Sequence, residues 1–280
     1  MAGETDRSAL FGGAVPAGIQ TKDVMRDDFG FEIPVESVPL PSNGTTYPAE
    51  SPLNGKETVD IRSMTAREED ILTSRALIKK GTVITELIKS CLVDKRIYVP
   101  DMLAGDRNAV MIALRITGYG ADYGVEADCP KCGKRSKQEF NLGEMPIKRL
   151  EIEPVTKGQN LFEFKLPMTK KTVHFKFLTG RDEEEISVVQ ERAKKQGALA
   201  DNNVTTRLQY AIVSVDGKTD RSAVNGFIRS MPARDSMALR KYIDAQEPGI
   251  DMKGEYDCPA CNEVSEVRVP LGASFFWPDA

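Results

Sequence analysis

The chain has 280 residues, a hydrophobic fraction of 40% and a formal net charge of −4 at pH 7, which is enough length and apolar content for a substantial core in one large domain or two small ones. The negative balance disfavours nucleic acid, whose binding needs a basic face to release counterions. Nothing reaches the roughly 18 continuous apolar residues of a membrane span, and one histidine gives little material for a histidine triad or a hydrolytic metal site.

Residues 1–33 mix Gly, Ala, Asp and Arg with isolated apolar residues and no sustained period, so they read as an extended arm. A purely solvating tail has little use for aromatics, and Phe11, Phe29 and Phe31 are therefore expected to dock on a partner. No basic region followed by an apolar core opens the chain, so no secretory signal is expected. VESVPLPSNGTTYP then gives a short strand and a turn, and ETVDIRSM the returning strand.

Helical signals begin at Thr65, which with Glu68 makes a capping box before Ile71, Leu72, Ala76 and Leu77. Gly81 stops that helix. A second helix spans about 82–92 and carries Cys91 at core spacing, a small buried residue rather than a ligand. DMLAGDRNAVMIALRITGYG reads as the central buried helix, apolar on most faces from Asn108 to Ile116. Its charges, Asp106, Arg107 and Arg115, read as capping and solvent-edge groups, with a buried ion pair as the alternative.

Further on, LFEFKLP (161–167) and TVHFKFLT (172–179) alternate strictly and predict a hairpin, with His174 on its polar phase as a surface residue. A helix follows over 181–196, acidic at its start and basic near its end. After the loop QGALADNN, helices are expected at 204–213, 220–231 and 233–246. The closing GASFFWPDA holds Phe275, Phe276 and Trp277, a cluster expected to bind a partner, packing on its own ribbon or on another subunit.

Two stretches carry the chemistry. YGVEADCPKCGKRSKQEFNLG (123–143) and KGEYDCPACNEVSEVRVPLG (253–272) each place CPxC between alternating segments. Zinc takes four thiolates tetrahedrally, paired across tight turns, so Cys129, Cys132, Cys258 and Cys261 are the candidate metal ligands. Proline fixes the backbone between the paired sulfurs, and Gly133 and Asn262 let the chain reverse. Four thiolates close the coordination shell, which makes a structural zinc site rather than a catalytic one. A redox pair is the third-ranked reading, because a thioredoxin-like CxxC needs a helix after it and neither stretch has one. Lys131, Lys134, Arg135 and Lys137 crowd the first hairpin and raise a nucleic-acid-associated zinc ribbon as the alternative function. Glu255, Asp257, Glu263 and Glu266 crowd the second, so charge complementarity between paired hairpins explains both.

The order of these elements resembles a known family. DMLAGDRNAVMIALRITGYGADYGVEADCPKCGK, preceded by PLPSNGTTYP and MTAREEDILTSRALIKKG, is similar to the baseplate hub assembly chaperone and hub subunit family of contractile-tailed, T-even-type bacteriophages and related prophages. The resemblance implies a non-enzymatic role in building the tail baseplate. Its partners would be other hub, wedge, tail-tube or tape-measure proteins, met in the host cytoplasm during assembly or in the tail of the virion. The expected fold is α+β: helices with β-hairpins and a split four-cysteine zinc-ribbon-like module. Its expected divisions are an N-terminal arm (1–33), a β lead-in and helical core (34–122), the split ribbon (123–143 with 253–272), an inserted region (144–252) and an aromatic tail (273–280).

Overall fold

In the computed structural model, residues 20–26, 30, 32–195, 202–269 and 275–276 are described. Gln20–Arg26 (β1), Glu32–Pro39 (β2) and Thr58–Arg62 (β3) form an antiparallel sheet of order β1-β2-β3. The β2–β3 pair is the expected lead-in hairpin. β1 corrects the reading of 1–33 as an arm throughout, because its residues pair with the chain's own β2. It is an edge strand held by backbone hydrogen bonds, which require no alternating apolar face. Phe11, Phe29, Phe31 and Trp277 lie outside the described residues.

The helix expected from Thr65 to Gly81 is two helices, Ala66–Thr73 (α1) and Arg75–Lys80 (α2), broken where Ser74 turns extended (φ −66°, ψ 106°). Gly81 ends the second with φ 72°, a left-handed value that glycine adopts without strain. The Glu68 carboxylate accepts from the Thr65 amide at 2.9 Å and its hydroxyl at 2.7 Å, and also from Arg62 and Ser90. Burial pushes this carboxyl up, but those hydrogen bonds outweigh it and hold it at about 2. Val83–Cys91 (α3) follows, and Cys91 is a fully buried free thiol that burial pushes up to about 12.

Ala104–Tyr119 (α4) is the central helix, with Val110, Ile112, Ala113 and Leu114 all buried. Its three charges are buried too, which corrects their placement at the solvent edge. Asp106 accepts the Ser42 amide at 2.9 Å, the Ser42 hydroxyl at 2.5 Å and the Tyr47 hydroxyl at 2.6 Å. It therefore ties the 40–47 turn to α4. Arg107 pairs with Glu184 at 3.1 Å and donates to the Gly180 carbonyl. Arg115 donates to three carbonyls, those of Phe275 (2.6 Å), Gly120 (2.6 Å) and Asp122 (3.0 Å). Among the described residues, only Arg107 of the three makes an ion pair; the other two satisfy turn backbone that would otherwise be orphaned beside a largely buried helix.

Asp122–Asp128 (β4) and Arg135–Asn141 (β5) form the first cysteine hairpin, and Ile147–Lys148 (β6) follows. Phe162–Lys165 (β7) and Thr172–Phe175 (β8) are the expected second hairpin. Then come Gly180–Lys195 (α5), Asn203–Ala211 (α6), Ile212–Val215 (β9), Arg221–Ser230 (α7) and Ala233–Gln246 (α8). β9 replaces the expected end of a helix: Ile212, Val213 and Val215 are β-branched, and the strand completes a β7-β8-β9 sheet. His174 on β8 is part-buried, its Nδ1 2.9 Å from Ser214 Oγ. Gly249–Ile250 (β10) pairs with β6 and delivers the chain to Lys253–Asp257 (β11) and Val264–Arg268 (β12), the second cysteine hairpin.

Eight helices and five small antiparallel sheets among the described residues make the fold α+β. A single apolar cluster runs from Val38, Leu87 and Leu114 through Phe162, Phe175 and Ile212 to Leu239. The region between the cysteine hairpins thus packs on the same core as α4, and this common core fixes where the two hairpins meet.

Candidate metal centre

Each cysteine turn is built the same way. The amide of the first cysteine donates to the residue five places on, Cys129 to Lys134 and Cys258 to Glu263, both at 3.0 Å. The amide four places on returns to the first cysteine's carbonyl, Gly133 to Cys129 and Asn262 to Cys258, both at 2.9 Å. The closing residue takes a left-handed backbone in both turns, φ 69° at Gly133 and 53° at Asn262. Glycine adopts this freely and asparagine tolerates it, which accounts for both identities.

The hairpins dock face to face and bring all four sulfurs together. Cys129 Sγ is 3.8 Å from Cys261 Sγ, Cys132 Sγ is 3.6 Å from Cys258 Sγ, and all four lie within 4.8 Å of one another. A tetrahedral zinc with Zn–S bonds of about 2.3 Å sets its sulfurs about 3.8 Å apart. The donor set and its spacing therefore fit such an ion. Cys129 and Cys258 are buried, Cys261 is intermediate and Cys132 exposed.

Their close approach makes the four thiols compete for negative charge. At Cys258 burial opposes ionisation, but the amides of Ala260 and Cys261 and the thiols of Cys261 and Cys129 outweigh it and draw the group down to about 6. At Cys261 the Glu263 amide favours the thiolate, yet burial and the thiols of Cys258, Cys132 and Cys129 push it up to about 12. Four sulfurs this close cannot all carry negative charge unless a cation stands among them.

Several residues that the sequence reading passed over hold the hairpins together. Tyr256 on β11 is completely buried, its hydroxyl 2.6 Å from Ser136 Oγ and donating to the Lys134 carbonyl at 3.1 Å. Gln138 on β5 donates to the Asp257 carbonyl at 2.9 Å. Gly254 lies against the Phe140 ring so closely that a Cβ would collide with its edge. Pairing between hairpins this distant in sequence leaves no local signature, so alternation within each stretch could not announce these contacts. Of the two charge clusters, only Lys131 and Glu263 meet as an ion pair across the hairpins; Arg135 pairs within its own hairpin with Asp128 at 2.8 Å.

At the C-terminus, Phe275 and Phe276 are buried at 3% and 4% exposure. Phe275 meets Tyr123 edge-on with ring centroids 5.4 Å apart, and its carbonyl is held by Arg115. Phe275 therefore packs on the first cysteine hairpin, and Phe276 packs edge-on against Phe275 with ring centroids 5.1 Å apart.

No described helix is long and apolar enough to cross a membrane. Comparisons with curated proteins and with solved structures return no match. A family model described as "T4 bacteriophage base plate protein" matches residues 44–277, a span that takes in Tyr47, the central helix and both cysteine hairpins. The chain belongs to the T4 bacteriophage base plate protein family.

Proposed function

We propose that the protein is a non-enzymatic hub component or hub assembly factor of a phage tail baseplate, acting through protein–protein contacts, with zinc on Cys129, Cys132, Cys258 and Cys261 fastening its fold. The observation that carries the metal reading is the set of four sulfurs delivered by two matching turns at tetrahedral spacing. Family membership carries the baseplate reading. Zinc supplies no chemistry here beyond a cross-link, since four thiolates leave no open position. The division into a lead-in with helical core, a split ribbon and an inserted region belongs to the same proposal: the metal would join hairpins separated by 125 residues, between Cys132 and Cys258.

The competing readings draw less support. A thiol oxidoreductase would place its CxxC before a helix, and both CxxC turns join two strands. A nucleic-acid ribbon would use the basic side chains of the first hairpin, of which Lys131 and Arg135 are committed to Glu263 and Asp128.

Mass spectrometry of purified tails and of assembly intermediates, scored for copies of this chain, tests the hub reading. Stoichiometric presence in finished tails makes the protein a structural hub component, and presence only on intermediates makes it an assembly factor of the host cytoplasm. Absence from both refutes the proposal.

A further inference from the structure

Among the described helices, α2 alone buries none of its residues completely. Leu77 is half-buried and the other five residues are exposed. A helix this short has little stability of its own and relies on packing of one face. Arg75, Ile78 and Lys79 stand at i, i+3 and i+4, so they share one face. Three features of that face work against the isolated chain. Arg75 is the first residue of the helix, where the macrodipole repels a cation, and no carboxylate occupies the first turn. Arg75 and Lys79 are like charges one turn apart, which destabilise a helix. Beside them Ile78 is 54% exposed. Lys79 and Lys80 suit the negative end of the dipole, but Arg75 does not.

The neighbouring helices do not neutralise this charge. On α3 the carboxylate of Glu86 lies 3.6 Å from Lys89. On α1 Glu68 is buried against Arg62, and Glu69 accepts from the Tyr119 hydroxyl at 3.1 Å. Across α1, α2 and α3, the side chains with no hydrogen bond or ion pair among the described residues are the cations Arg67, Arg75, Lys79 and Lys80, against the single carboxylate Asp70. This is a basic surface on a chain whose net charge is −4.

We infer that the Arg75–Ile78–Lys79 face of α2 docks an acidic amphipathic segment of another protein, whose carboxylates meet the two cations while an apolar side chain covers Ile78. Unpaired charge selects the sign of the partner, and Ile78 selects its kind. A phosphate backbone would leave that isoleucine uncovered, and a lipid surface calls for a broader apolar face than one exposed side chain. Partner carboxylates relieve both the mismatch of Arg75 with the helix dipole and its repulsion from Lys79.

The probe is the blocked peptide acetyl-Ala-Glu-Ala-Ala-Leu-Glu-Ala-amide, with two carboxylates and a leucine at matching helical spacing, added to the full chain and followed by NMR. Its counterpart with glutamine in place of both glutamates is the neutral control. The acidic peptide is expected to shift the amide signals of Arg75, Ile78 and Gly81. It should bind about fivefold more tightly than the control at low salt, an advantage that fades in about 0.5 M salt. Arg75→Glu should remove this preference while raising the melting temperature, because it puts a carboxylate at the helix start and one turn from Lys79. Equal binding of the two peptides, undiminished preference in Arg75→Glu, or no shift on α2 in the millimolar range would each overturn the inference. So would a lower melting temperature of Arg75→Glu, or tighter binding of duplex DNA or phosphatidylglycerol vesicles at the same signals. None of these outcomes depends on whether the chain is found in tails.

Discussion

Arg115 offers a demanding test of how the fold holds together. Its guanidinium is completely buried on α4 and joins the end of that helix, the start of β4 and the C-terminal segment through the carbonyls of Gly120, Asp122 and Phe275. Arg115→Met keeps much of the apolar stem and removes every donor. Three charge-assisted hydrogen bonds at about 1.5–3 kcal/mol each give a gross loss of about 5–9 kcal/mol, and relief of the cost of burying the charge offsets part of it. The expected net destabilisation is about 3–5 kcal/mol, the range measured when one partner of a buried charged arrangement is removed. Urea unfolding followed by circular dichroism reads this directly as a shift of midpoint at constant slope. Arg115→Lys keeps the charge but not the fork that reaches carbonyls in different directions, so it should recover only part of the loss. A loss below about 1 kcal/mol for Arg115→Met would refute the clamp, since an arginine of that value belongs to the surface.

Two further substitutions probe other parts of the chain. Tyr47→Phe deletes a hydroxyl that donates to Asp106 and accepts from the Leu103 amide at 2.9 Å; leaving that amide unpaired should cost about 1–3 kcal/mol in the same unfolding assay. Glu247 gives a pH signature: its folded value near 7 lies above the ordinary 4.5, so the folded state holds the extra proton and stability falls as pH rises from 4.5 through 7. Glu247→Gln should therefore be more stable than the parent by about 1–2 kcal/mol at pH 8, discounted for partial exposure, and no more stable below pH 4.5. A difference that does not change with pH would exclude burial of the charge as its cause.

Much of the architecture is legible because its signals are local. The capping box at Thr65 and Glu68, the left-handed stops at Gly81, Gly133 and Asn262, and the strict alternation at 161–179 each act within a few residues, and each appears where the sequence places it. The cysteines could be paired from chemistry alone, because only a few arrangements satisfy four thiolates in two turns. What the sequence conceals is long-range: β9 extends α6 as a strand only because β8 lies beside it. Similarly, β1 forms on the backbone of β2 without an apolar period of its own. Charges on α4 resemble solvent-edge groups in one dimension, and only the folded chain shows that Asp106 and Arg115 have turn backbone as their partners. The setting of Phe275 is long-range in the same way, since only the folded chain brings Tyr123 and Arg115 to it.

The most direct test of the account is the metal content of the purified chain, measured by plasma mass spectrometry beside thermal unfolding, for the parent, Cys129→Ser and Cys258→Ser. The account predicts one zinc per chain in the parent, less than a tenth of that in either variant, and a lower melting temperature in both, because each substitution breaks one shared shell from a different hairpin. Parent protein without metal when purified free of chelator, or zinc retained at parental level in both variants, would contradict it.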